Sequence, residues 1–248
     1  MPKQSNDHPA MGRFLEISLH APDVLASLDF YRRLGFTEAS VGETWSHPYA
    51  AVSDGRLALG LHAFEFASPS LTFVQPELLT RLDELEARGV ELAFRKVGDD
   101  RFNEAGFEDP DGQMIAWLEA RTFSPPDRGA VEVSALGWFE EYVLPVRDLD
   151  VAQAFWEGLG FVAVEETDSP CPQRGLTSDT LNLALWQTRQ LDGPLLRFSA
   201  TGLDKVRDTL EARGIGIDRR LPRLLDPKRA LMVVAPEGTA LLVEEQAD

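Results

Sequence analysis

The chain has 248 residues, 44% hydrophobic and 26% charged, a composition that excludes disorder as the main state and fits one large domain or two compact ones. Lys and Arg number 24 against 41 Asp and Glu, a formal net charge of −17, which repels nucleic-acid phosphates and anionic lipid surfaces, so no nucleic acid or membrane is expected as a partner. Cys171 is the one cysteine; it excludes an intrachain disulfide and a cysteine-based metal cluster and suits a reducing, cytoplasmic location.

Residues 1–12 are polar and read as a flexible N-terminus. A short apolar alternation then runs into a helix that Asp23 would cap, with Val24, Leu28 and Tyr31 on one face and Gly35 at its end. The period falls from about 3.6 to 2 around Asp54-Gly55, which predicts a hairpin pairing 49–52 with 56–61. A second alternation and helix follow, with Leu78, Leu82 and Leu85 ahead of Gly89, and Asp111-Gly112 turns a hairpin of 106–108 with 113–119. The run Ser-Pro-Pro-Asp-Arg-Gly at 124–129 marks a linker over 121–135. The grammar then repeats: Asp148 ahead of Val151, Phe155 and Leu159 with a stop at Gly160, and Leu203, Val206 and Leu210 ahead of Gly214.

The repetition is a duplication. Residues 14–36 laid over 139–161 share eight of 23 positions, and 71–92 over 196–217 share nine of 22, including LEARG in both, at one shift of 125. The four stop glycines are 54, 71 and 54 residues apart. Each copy is therefore two units of strand, helix and about three strands, and a unit that small must pair with another to cover its sheet. Two paired units predict an eight-stranded curved sheet with helices outside and a concave face that suits a small molecule.

The segments LHAPDVLASLDFYRRLGF with DPDGQMIAWLE, and LPVRDLDVAQAFWEGLGF with APEGTALLVEE, resemble the vicinal oxygen chelate superfamily of glyoxalases, bleomycin- and fosfomycin-resistance proteins and extradiol dioxygenases. The resemblance implies an α+β fold of four βαβββ units in two glyoxalase-like domains, at 13–120 and 136–248. It also implies, for the enzymes of the family, one divalent metal in the cavity held by several oxygen or nitrogen ligands. Carried over residue by residue, the ligand positions are Glu16, Gly60, Ser70 and Ala116 in the first copy and Glu141, Leu185, Leu195 and Leu242 in the second. One carboxylate per copy does not hold a catalytic ion, so no metal or other cofactor is expected. A slip of two residues would bring His62 near Glu16. The favoured reading of the four histidines is otherwise surface or loop.

Strand alternation lines the first cavity with Phe14, Glu16, Ser18, Gly60, His62, Ser70, Thr72, Met114, Ala116 and Leu118, where the small Gly60 and Ala116 would leave room for a ligand. The second is lined by Phe139, Glu141, Val143, Leu195, Arg197, Leu242 and Glu244. Glu16, withdrawn from water, would be the candidate base for metal-free proton abstraction; its structural alternative is to accept hydrogen bonds from His62, Ser18 or Ser70. Arg197 beside Glu141 reads as an ion pair, or as a receiver of anionic ligands. Trp45, Trp138, Trp156 and Trp186 offer stacking surfaces, Trp156 as core. The runs Glu165-Glu166 and Asp99-Asp100 read as solvated faces, and the basic segment 218–223 with Lys228-Arg229 as a surface loop.

The expected function is binding of a small organic molecule without a catalytic metal. A metal-dependent lyase, isomerase or extradiol-type dioxygenase with shifted ligands, and a second copy used only for structure or dimerisation, stay open as alternatives. A homodimer is likewise open.

Overall fold

The computed structural model describes residues 11–39, 46–100, 102–120, 134–179 and 181–246. His8, Trp45 and the linker 121–133 lie outside them. The first copy runs β1 (Arg13–His20), α1 (Val24–Leu34), β2 (Thr37–Ala39), β3 (Tyr49–Ser53), β4 (Ala58–His62), β5 (Ser70–Gln75), α2 (Leu78–Ala87), β6 (Leu92–Lys96), β7 (Glu104–Glu108) and β8 (Met114–Glu119). The second runs β9 (Trp138–Val146), α3 (Leu149–Gly158), β10 (Val162–Thr167), β11 (Gln173–Thr177), β12 (Asn182–Gln187), β13 (Leu195–Ala200), α4 (Leu203–Ala212), β14 (Ala230–Val234) and β15 (Ala240–Glu245).

Each copy builds one sheet from its two units, with the opening strands β1 and β5, or β9 and β13, side by side and antiparallel at the centre. The orders are β2-β3-β4-β1-β5-β8-β7-β6 and β10-β11-β12-β9-β13-β15-β14. The second sheet thus has seven strands among the described residues, not the eight expected. Where β6 has its counterpart there is a single bridge, Asp218 to Met232, and Pro222 shortly beyond cannot donate to a ladder.

The helix signals are realised. The Asp23 carboxylate accepts from the Ala26 amide at 3.0 Å, and that of Asp148 from Asp150 and Val151 at 2.9 and 3.1 Å, supplying donors at each helix start with acceptors. Gly35 and Gly160 both stop their helices at φ 96°, a conformation that costs glycine no side-chain clash. One stripe differs from expectation. In α3 the buried side chains are Leu149, Ala152 and Trp156, and Val151 is 53% exposed. Burying the large indole, with Leu149 and Ala152 one to two turns before it, removes more apolar surface from water than the Val151 face would.

One apolar core lies between sheets and helices and contains side chains of both copies, from Met11 to Val243. The copies also clasp each other reciprocally. Arg88 and Arg213, the arginines of the repeated LEARG, reach the carbonyls that end the opposite copy's first helix: Arg88 donates to Gly158 at 2.6 Å and Arg213 to Arg33 at 2.8 Å. A cation at a helix C-terminus satisfies an orphan carbonyl and opposes the helix dipole. Turn residues of each copy also accept hydrogen bonds from side chains of the other. Ser27 and Tyr31 donate to the Glu237 carboxylate at 2.7 Å each; Trp156 donates to Asp109 at 3.3 Å and Tyr142 to Gln113 at 2.9 Å. Burial, reinforced by Glu237, raises the Tyr31 pKa well above the ordinary phenol value, and burial with the nearby Asp109 does so for Tyr142. No helix among the described residues is long and apolar enough to cross a membrane.

Candidate functional site

The helix-free face of the first sheet gathers most of the residues expected there, with one correction. The pairing of β1 with β5 shifts register between Phe14 and Glu16. That β-bulge inserts a residue and rotates Phe14 to the core, where its ring meets Phe73 edge-on at 5.4 Å. Phe139 is turned inward by the matching irregularity in the second copy and packs on Phe198 at 5.5 Å.

Beyond the bulge, Glu16, Ser18, Ser70 and Thr72 share the inner face and are all buried, as are His62 and Met114; Ala116 is half-buried. Glu16 is 2% exposed, and its carboxylate accepts three hydrogen bonds. Oε1 takes one from Ser18 Oγ and one from His62 Nε2, both at 2.9 Å, and Oε2 takes one from Tyr49 Oη at 2.5 Å. Since Ser18 donates to Glu16, the 2.7 Å contact between Ser18 and Thr72 is a donation from Thr72. Ser70 does not join; its buried hydroxyl has no hydrogen-bond partner. Behind Glu16, His62 Nδ1 lies 3.0 Å from His47 Nε2. His47 is partly exposed at the mouth, beside the Phe64 ring at 5.7 Å, and burial followed by the neighbouring His62 lowers its pKa.

His62 is therefore a buried strand residue and not a surface one, and His47 belongs to the same network. His20 ends β1, half-buried, its amide donating to Ser68. Tyr49 and His47 were not singled out from sequence as site residues. Tyr49 stands opposite His62 where the hairpin continues one residue past the predicted 56–61, and cross-strand partners share one face. The room expected over Gly60 is taken: a Cβ there would lie 2.0 Å from Glu16 Oε1. Gly106, paired with Ala116, is similarly covered by the Phe94 ring.

The second cup is built differently. Leu185 faces the core and not the cup; Ala184 and Trp186, one residue to either side, are the inward residues. Trp186 packs with Val143, Leu195 and Leu242 beneath Leu221, Leu224 and Leu225. The segment read as a basic surface loop thus sends its leucines inward, while Arg220 turns back to Asp218 at 3.0 Å. Beside this apolar part lies a cavity of about 880 Å³. On its floor Arg197 bridges two carboxylates, Glu141 at 2.8 Å and Glu244 at 3.2 Å. Burial pushes the Glu141 pKa up, and Arg197 opposes that push. Burial works against the Arg197 charge, yet Glu141 and then Glu244 carry its pKa above the ordinary guanidinium value. Its lining residues include Glu140, Glu141, Glu165, Asp226, Glu244 and Glu245 against Arg197 and Arg229, the Glu245 carboxylate itself turning to the amides of Gly202 and Leu203 at the start of α4. The buried Trp186 Nε1 has no hydrogen-bond partner. Trp156 is core, and Trp138 sits outside the cup under Arg56 at 3.5 Å.

The donor sets do not fit a catalytic divalent ion. In the first cup the carboxylate oxygens are engaged by three donors, and Gly60 and Ala116 offer no ligating atom. In the second, a guanidinium already stands between the carboxylates of the first and last strands. Among the described residues no three His, Cys, Asp or Glu side chains come together as a metal ion requires.

No family model and no curated protein sequence matches the chain. Solved structures do. Homoprotocatechuate 2,3-dioxygenase from Brevibacterium fuscum is 19% identical with a TM-score of 0.64 over 99% of this chain and 74% of its own. The enzyme of that name from Arthrobacter globiformis is 17% identical, at 0.64 over 99% and 83%. The 2,3-dioxygenase LapB from Pseudomonas sp. KL28 is 14% identical, at 0.59 over 96% and 94%. At these identities the likeness concerns the fold. With two mixed sheets, four outer helices among the described residues and two matching copies, the chain carries the doubled α+β fold of these dioxygenases.

Proposed function

We propose that this protein binds a small organic molecule in its second cup, without a catalytic metal. The observation that carries this reading is the cavity of about 880 Å³ whose floor is an arginine already paired with two carboxylates. It falls within the range of small-molecule sites, and the apolar wall around Trp186 beside polar groups is the usual make-up of one. Arg197, satisfied by Glu141 and Glu244, is no receiver for an anion. With acidic residues outnumbering basic ones in its lining, the cavity favours a cationic or neutral ligand, the apolar part of which would rest on Trp186.

Calorimetric titration with benzylamine and with phenylacetate tests the charge preference on one aromatic frame. The amine should bind at least tenfold more tightly than the acid and should lose that advantage in Glu141→Gln; tighter phenylacetate binding overturns the reading. The dioxygenase likeness favours a second reading, ring cleavage at a metal. Elemental analysis of untagged protein separates the two: a stoichiometric transition metal removed by chelator together with activity would establish the second and defeat the first.

A further inference from the structure

One side of the second cup is open, and the other is shut by a segment that the sheet barely holds. Trp186, Leu224 and Leu225 stand at the edge of the cavity of about 880 Å³. There residues 219–226 fold over the inner face and bring Leu221, Leu224 and Leu225 onto the cluster of Trp186, Val143, Leu195 and Leu242. In the first copy the corresponding segment is β6, which makes four ladder pairs with β7, from Leu92 with Phe107 to Lys96 with Glu104. Here one bridge remains, Asp218 with Met232. Among the described residues, the hydrogen bonds of 219–226 stay inside the segment or reach its flanking residues, as from Leu225 to Pro222 and from Arg220 to Asp218. Its two ends are fixed: the Asp218 amide donates to the Met232 carbonyl and the Glu245 amide to that of Arg229, both at 2.8 Å. Between these hinges apolar contact holds the segment down, and Leu221 and Leu224 are only partly buried. The closed arrangement also leaves one polar atom unmet, because Trp186 Nε1–H is buried without an acceptor. A segment with so few ladder bonds and so little buried surface opens locally at a cost well below that of global unfolding.

We propose that 219–226 is a displaceable cover, and that beneath it lies an apolar subsite on Trp186 for the hydrocarbon end of an amphiphilic amine. The proposal rests on the reading of the second cup given above, which assigns the ammonium group to the acidic lining of the open side. The leucines occupy the subsite as a ligand would: they are hydrocarbon groups laid on an indole, at the edge of the open cavity. Burial of a ligand's tail offsets their return to water. The rest of the cover has little to lose on opening, since Arg219, Arg220, Arg223 and Asp226 are already exposed. Opening also brings an acceptor, from water or from the ligand, to the unmet Trp186 Nε1–H.

The test uses the full chain with ¹⁵N-labelled tryptophan. Trp117 is the internal control, because its Nε1–H is also buried without an acceptor but lies in the main core, apart from the cover. In native-state hydrogen exchange the Trp186 indole proton should exchange at least a hundredfold faster than that of Trp117. Equal rates mean that the segment opens only when the chain unfolds, and overturn the cover. Leu224→Ala combined with Leu225→Ala should widen the contrast. It should also tighten 4-phenylbutylamine at least tenfold in calorimetric titration, because more of the molecules present the subsite, while benzylamine, short enough for the open side, changes less than twofold. Leucines that served only as packing would alter both amines alike; that result overturns the subsite and leaves the preference for amines over acids intact. A preference for phenylacetate instead defeats the reading of the second cup, and the two indole rates then still decide whether the cover opens.

Discussion

Gly60→Ala is the most pointed perturbation of the first cup, because it adds one carbon where the structure leaves none. The new Cβ would stand 2.0 Å from Glu16 Oε1, 2.2 Å from its Cδ and 2.4 Å from Oε2, so the whole carboxylate must move. A flexible side chain usually yields cheaply, but this one is 2% exposed and held by Ser18, His62 and Tyr49. Hydrogen bonds to a charged group contribute roughly 1.5–3 kcal/mol each, and a displaced buried carboxylate keeps its desolvation cost. Losing the equivalent of one to two of the three destabilises the protein by about 3 kcal/mol, or roughly 6–12 °C in Tm for a chain of this size. The assay is urea and thermal unfolding of Gly60→Ala, Glu16→Ala and the pair as a double-mutant cycle. The methyl group should cost little once Glu16 is gone, leaving a coupling of about 3 kcal/mol. Equal costs in both backgrounds, or a cost under about 0.5 kcal/mol in the native one, would refute the placement of Glu16 over Gly60.

Arg197→Met should lower stability by roughly 2 kcal/mol at neutral pH by leaving Glu141 and Glu244 without their shared cation. The Glu141 pKa, already raised by burial, would then rise further. An acid with a raised folded pKa contributes stability at low pH and loses it as pH climbs through that pKa, so the deficit against wild type should shrink in melts at pH 5 compared with pH 7.5. Tyr31 and Tyr142 have folded pKa values well above the ordinary value near 10, so two of the three tyrosines should stay neutral until the chain unfolds. Absorbance titration at 295 nm should show both ionising only with the unfolding step, and stability above pH 10 should fall at about 2.7 kcal/mol per pH unit; two phenols titrating normally in folded protein would contradict their burial.

How much was legible in the sequence depended on whether the determining contact was local. Asp23 and Gly35 frame a helix through bonds within a turn, and the LEARG repeat at one shift announced a doubled fold. Strand alternation placed Glu16, Ser18, Thr72 and Arg197 on their faces. It failed at Phe14 and Phe139, where one inserted residue in each central strand reverses the parity, while Leu185, a position carried over from the family resemblance, lies one residue out of phase. Ligand positions inherited from a family also said nothing of what fills them. Only packing shows that the Gly60 space belongs to Glu16, that His47 completes the network from beyond β3, and that a loop rich in arginine hides its leucines.

The crossed arginines, Arg88 to Gly158 and Arg213 to Arg33, together with a core drawn from both copies, bear on how such a chain is held as one body. Each half lends the other an arginine that takes up a carbonyl at the end of its first helix. Synthesised as two separate polypeptides, the halves would be expected to seek one another out and reassemble, the covalent joint serving mainly to raise their mutual effective concentration.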